Sequence, residues 1–143
     1  MNEEIIRRAE QIIAQKAGRG NEAYCTLALI DADGYPVTST ISIARADGIK
    51  WLSFCTRAGR KRDRINRCSK ASVCINSPEY HISLVGRVEM LTDMATKKEM
   101  WFGGLLRSFD GVFDPDYCVL KFTTERYKIS IDWQEVQGEL RRE

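Results

Sequence analysis

The sequence predicts a mainly β fold: a six-stranded antiparallel barrel, closed or nearly so, with short helices at its margins. Three observations carry this. Six stretches read as strands, while helical spacing is confined to three short segments. The first three strands are joined by short turns built on Asp33-Gly34 and Asp47-Gly48, which makes an antiparallel meander. A lone open sheet of that many strands would leave unpaired edges, and closure removes them.

In order along the chain, residues 3–17 place Ile5, Ile6, Ala9, Ile12, Ile13 and Ala17 at helical spacing, with Asn2 as a cap and Gly18 as a stop. The period then changes to strands at 24–31, 37–44 and 49–56. In the second of these, Val37, Ser39, Ile41 and Ile43 alternate with Thr38, Thr40, Ser42 and Ala44. A basic helix over 59–69 turns Ile65 and Cys68 inward. A short strand at 71–77 ends at Pro78, and a longer one spans 81–91. Asp93 caps a third helix over 93–106 that Gly103-Gly104 weakens, and "DGVFDPD" is loop. The last strand, 117–133, sets Tyr127, Ile129, Ile131 and Trp133 on one face and Lys128, Ser130 and Asp132 on the other. With no repeat or linker, residues 1–143 read as one domain, long enough to bury a core.

Several function classes are disfavoured. No apolar run approaches the ~20 residues of a membrane span. The acidic, amphipathic start MNEEIIRRAEQ is neither a signal nor a transit peptide. Five cysteines, an odd set without C-x-x-C, fit reduced thiols in a cytoplasm. His81 is the sole histidine, so neither a structural zinc site nor serine-hydrolase chemistry is expected, and no metal is.

Charge is unevenly distributed. The chain carries 22 basic and 20 acidic residues, a net +2. Residues 57–70 hold Arg57, Arg60, Lys61, Arg62, Arg64, Arg67 and Lys70 against Asp63 alone, a net +6 that leaves −4 for the rest. Such concentration reads either as a solvated helix face or as a local anion site. Its placement points to the second. A strand end with a hydroxyl (Thr56), a turn with Gly59 and a helix start at Arg60-Lys61 together outline a phosphate site. Arginine would add a bidentate fork and lysine a point charge.

The run Phe54-Cys55-Thr56-Arg57-Ala58-Gly59-Arg60-Lys61 resembles the core motif of the pyridoxamine 5′-phosphate oxidase-like, FMN-binding split-barrel proteins, in particular short bacterial members of the general-stress-protein type, with a loop one residue shorter. The resemblance runs from the N-terminal helix to Trp133. It implies a split barrel binding FMN, with the phosphate held by Thr56, Arg60 and Lys61, helped by Arg57. Cys55 joins the same cofactor-binding set. The resemblance also places Ser39, Thr40, Ile41 and Ser42 beneath the flavin ring. His81, five residues before the glycine of "LVG", would reach FMN across a homodimer interface, and Trp133 in "SIDWQ" would lie by the flavin. Trp101 and Phe102 read first as core, with lining the pocket as the lesser alternative. Many full oxidases carry an Arg where Ser39 stands, a Lys near Ala44, and an Arg-x-His stretch some ten residues past the tryptophan; this chain has Ser39, Ala44, and Arg141 and Arg142 without a histidine.

These expectations favour a cytoplasmic, homodimeric FMN-dependent oxidoreductase that is not a true pyridoxamine phosphate oxidase, acting on a small-molecule donor or acceptor. The alternatives are a flavin-binding sensor without turnover and a haem-binding split barrel using His81 as axial ligand. A nucleic-acid-binding barrel is disfavoured, since no strand shows the exposed aromatic pairs that stack bases.

Overall fold

The computed structural model describes residues 2–18 and 23–140. Helix α1 (Asn2–Lys16) is followed by β1 (Tyr24–Ile30), β2 (Pro36–Asp47) and β3 (Trp51–Arg57). Helix α2 (Lys61–Arg67) leads to β4 (Lys70–Ser77) and β5 (Tyr80–Leu91). Helix α3 (Met94–Met100) and a 3-10 turn (Gly103–Arg107) precede β6 (Tyr117–Ile131) and β7 (Gln134–Glu139). The strands hydrogen-bond in the order β3-β2-β1-β4-β5-β6-β7, and a further β3–β6 pairing closes the first six into an antiparallel barrel. Among the described residues no helix is long and apolar enough to cross a membrane.

Alternation in the strands builds the core. Cys25, Leu27 and Leu29 of β1, Val73 and Ile75 of β4, and Ile82 and Leu84 of β5 all point inward, where they meet Phe54, Leu120 and Phe122. Each such side chain, fully buried, contributes about 1.5–3 kcal/mol. Helix α1 lays Ile5, Ala9 and Ile13 on the barrel, and Glu10 accepts a hydrogen bond from the Ile49 amide at 3.1 Å. That contact ties the helix to the β2–β3 turn.

Strand β6 has three neighbours. Its first half pairs with β3, from Arg57↔Tyr117 to Trp51↔Thr123, and its second half pairs with β7. The change of partner coincides with a bulge: Val85 faces Arg126 and Gly86 faces Thr124, so Glu125 is the extra residue. A Cβ on Gly86 would collide with the carbonyl of Thr123, so glycine is required by close backbone approach.

Two expectations are corrected. The predicted last strand stops at Ile131, because Asp132 (φ 50°) and Trp133 (φ 67°) form a two-residue turn into β7. Left-handed backbone at both positions matches the right-handed twist of a hairpin. Trp133 therefore leaves the face shared by Ile129 and Ile131 and is 99% exposed. The predicted helix over 93–106 ends at Met100 and resumes only as the 3-10 turn; Gly103 and Gly104 lie at the start of that turn. Its start is as expected, with Asp93 Oδ2 accepting from the Thr96 amide at 3.0 Å.

Candidate functional site

The barrel is forked at one seam. Strands β2 and β3 pair from Asp47↔Trp51 to Ile43↔Phe54 and then part. Beyond that point β2 pairs only with β1, and β3 only with β6. A cleft of about 200 Å³ lies in the resulting fork. Thr40, Ile41 and Ser42 line one side, and Cys55, Thr56 and Arg57 line another. Phe102, Gly104, Leu105, Ser108 and Phe109 supply a third wall, and Tyr24 stands beside Ser42 across the β1–β2 ladder.

Most of the residues nominated from the sequence thus converge on one cleft. Ser39 sits one residue further along β2, opposite Leu27 and outside the lining. Arg60 and Lys61 begin α2, three residues past Arg57. Helix α2 is shorter than the predicted span, and Arg60 supplies no side-chain cap. Among the described residues no carboxylate pairs with Arg60, Lys61, Arg62, Arg64 or Arg67. Lys61 Nζ donates to the Arg57 carbonyl at 3.5 Å. Positive charge is therefore available next to the fork.

Arg57 itself is engaged within the chain. Its Nη1 donates to Asp116 Oδ2 at 3.0 Å and its Nη2 to the carbonyl of Ser108. The guanidinium also lies 5.2 Å from the centroid of the Phe109 ring. The Cys55 sulfur lies 3.4 Å from the Met100 carbonyl and 3.5 Å from the Tyr117 hydroxyl. Burial pushes this thiol up to about 11, against a smaller downward pull from the Tyr117 hydrogen bond. It is a neutral, packed group near neutral pH.

From the sequence, only Trp101 and Phe102 of this region were considered for the pocket, as the lesser alternative to core; Phe102 lines the cleft and the rest of the third wall was not assigned. The wall rests on a second apolar cluster of Met100, Leu105, Phe109, Tyr117 and Val119. The Tyr117 hydroxyl donates to the Lys97 carbonyl at 2.7 Å, and its ring meets those of Trp101 and Phe109 with centroids 5.3 Å away. The available signal was the apolar set Phe102, Leu105 and Phe109 on either side of the glycine pair, which exceeds what an ordinary surface loop carries.

His81 and Trp133 lie elsewhere. Both line a second cleft of about 290 Å³ with Ser77, Tyr80, Ser130 and Asp132. His81 is exposed, with its Nδ1 4.0 Å from the Cys74 sulfur. Thr56 faces Cys118 and His81 faces Ser130, twelve residues along the same strand β6. That is up to roughly 40 Å of strand at about 3.3 Å per residue. One chain does not bring the two groups together. Arg141 and Arg142 lie outside the described residues.

A closed six-stranded antiparallel barrel, forked at one seam and flanked by helices, defines the structural class. The chain belongs to the pyridoxamine 5′-phosphate oxidase family, whose model matches residues 13–130. Among solved structures it is similar to a Clostridium acetobutylicum protein related to general stress protein 26 of B. subtilis, of the pyridoxinephosphate oxidase family. That likeness has a TM-score of 0.85 at 21% identity over 98% of this chain and 97% of that one. A Nostoc punctiforme protein described as pyridoxamine 5′-phosphate oxidase-related and FMN binding gives 0.63 at 13% identity, covering 97% of this chain and 94% of that. A haem-binding protein from Mycobacterium smegmatis gives 0.69 at 15% identity, covering 94% of this chain and 57% of that. At these identities the likenesses establish the fold. No curated protein sequence matches the chain.

Proposed function

We propose that the protein is an FMN-binding oxidoreductase of the cytoplasm, acting as a homodimer on a small-molecule electron donor or acceptor, and not a true pyridoxamine phosphate oxidase. The observation that carries this is the fork between β2 and β3, with hydroxyls and an apolar wall inside it and, beside it, cations that have no carboxylate partner among the described residues. The residues fit the group. Thr56, Arg60 and Lys61 would hold the phosphate, and Thr40 and Ser42 offer hydroxyls to a ring whose face would rest against apolar side chains of the third wall. When bound, FMN supplies the hydride and electron chemistry, so the chain needs no acid–base pair of its own. The protein's part is to anchor the phosphate, exclude water from the ring and orient what approaches it.

Two observations favour the dimer. The fork alone encloses about 200 Å³, below the ~300 Å³ of a typical small-molecule site, which suits completion by a second surface. The fully exposed Trp133 and the nearby His81 form a second group too far along β6 to serve the same chain's fork, yet open to a partner's. Ser39 and Ala44 stand on β2 where full oxidases carry basic residues, leaving Arg45 as the one cation of that strand to orient a phosphorylated vitamer.

Adding FMN to the purified protein and recording its absorption spectrum tests the reading. FMN should bind stoichiometrically and more tightly than riboflavin. Lys61→Ala should weaken FMN by ~1.5–3 kcal/mol, the range for a charge-assisted bond. A haem spectrum, or riboflavin bound as tightly as FMN, would overturn it.

A further inference from the structure

Arg57 occupies the fork yet spends its guanidinium inside the chain. Nη1 meets the Asp116 carboxylate at 3.0 Å, Nη2 meets the Ser108 carbonyl, and the ring of Phe109 lies beneath the planar group. All three partners belong to the segment between α3 and β6, and two of them, Ser108 and Phe109, line the cleft. The backbone repeats the attachment: the Ala58 amide donates to the Asp116 carbonyl at 2.9 Å, and Arg57 pairs with Tyr117 at the start of β6. Both partners of the ion pair are more than half exposed, and such a pair alone does little. Here a forked donor is held by an anion, a carbonyl and a ring at once, a geometry that lysine does not reproduce.

We propose that Arg57 is a positioning residue, not a phosphate ligand: together with Asp116 it fixes the 102–109 wall against the fork and so governs the grip on the flavin ring. This rests on the flavin reading above. The wall has little else in the way of regular structure to hold it, since α3 ends at Met100 and only the five-residue 3-10 turn follows. Its side of the cleft is apolar, through Phe102, Leu105 and Phe109, which suits a ring face and not an anion. The phosphate is left to Thr56, Arg60 and Lys61, whose cations have no carboxylate partner among the described residues.

Comparing FMN with riboflavin separates ring grip from phosphate contact. Both are titrated, by quenching of flavin fluorescence, into the wild-type protein and the variants Arg57→Lys, Asp116→Asn and Lys61→Ala. Arg57→Lys and Asp116→Asn should weaken the two flavins by the same factor, about tenfold, leaving their ratio unchanged, while Lys61→Ala should weaken FMN alone. Hydrogen exchange of the flavin-free variants should be faster over 102–112 and unaltered in β4 and β5, which also shows that they fold. The proposal is overturned if Arg57→Lys retains wild-type riboflavin affinity, if Arg57→Lys or Asp116→Asn lowers FMN affinity much more than riboflavin affinity, or if exchange over 102–112 does not change. A wild-type protein that binds neither flavin would remove the flavin reading itself and this proposal with it; FMN binding with an unmoved wall would remove the proposal alone.

Discussion

Gly86 is the position where a single added methyl group should do the most damage for its size. It is buried in β5 opposite Thr124, where β6 changes partner from β3 to β7. An added Cβ would overlap the Thr123 carbonyl oxygen and lie 2.9 Å from its carbon and 3.1 Å from the Glu125 amide nitrogen. These are backbone atoms of a paired strand, so no side chain can swing aside. Overpacking costs typically about 1–3 kcal/mol, and the rigid obstacle puts Gly86→Ala at the upper end. Alanine returns about 0.4–1 kcal/mol by restricting the unfolded chain, for a net loss of about 2 kcal/mol. Gly34→Ala is the control. Gly34 has φ 85° but nothing within 4 Å of the added carbon, so it meets only the left-handed penalty of about 1–2 kcal/mol, less the same return. Urea unfolding followed by circular dichroism measures both. If Gly86→Ala loses less than Gly34→Ala, collision at the bulge is not what the glycine avoids.

Other expectations follow from the thiols, the exposed tryptophan and the second strand. Burial raises the Cys25 thiol to about 12, Cys55 to about 11, and Cys118 as well, from 9.0. Above pH 9 the unfolded chain releases these protons while the folded chain keeps them, so stability should fall between pH 9 and 11, by up to ~1.4 kcal/mol per pH unit for each thiol. Urea midpoints that stay level from pH 8 to 10.5 would contradict this. Trp133→Gly should change the stability of the single chain by no more than about 1 kcal/mol, since relief of left-handed backbone offsets the entropy of glycine. It should nevertheless loosen the proposed dimer in sedimentation at low concentration; unchanged association would separate Trp133 from the proposed interface. The FMN-loaded protein should produce negligible pyridoxal 5′-phosphate from either phosphorylated vitamer in air. Turnover near ~1–10 per second would show that Ser39 and Ala44 do not matter as argued.

Legibility varied with how local the determining physics is. The six barrel strands and their meander could be read because Asp33-Gly34 and Asp47-Gly48 are turn pairs of known preference, and Asp31 completes the first by accepting from the Asp33 and Tyr35 amides. Strand β7 could not. Its turn is Asp132-Trp133, where a bulky residue takes a position that normally selects glycine, and "QEVQGE" buries only Val136. In the fork, Thr56 was legible through the contiguous motif at 54–61, and the residues at 40–42 only through the family resemblance of the second strand. The commitment of Arg57 to Asp116 and Ser108 was not, because charge content does not say which anion a guanidinium meets when its partner is far along the chain. The distance between His81 and Thr56 likewise depends on barrel closure, which no local signal encodes.

The three-neighbour strand has a kinetic consequence. In the order β3-β2-β1-β4-β5-β6, the first meander can zip locally, but β3 finds its second partner only when β6, a strand distant in sequence, arrives. Non-local pairing of this kind slows folding, because the chain must close a long loop before the contact rewards it. Until then the C-terminal end of β3 has a bare edge, and neither the 102–109 wall nor the fork it borders can assemble. A ligand of the fork therefore meets no template in the early chain. It can only stabilise the completed barrel, so its presence should slow unfolding while leaving the refolding rate unaltered.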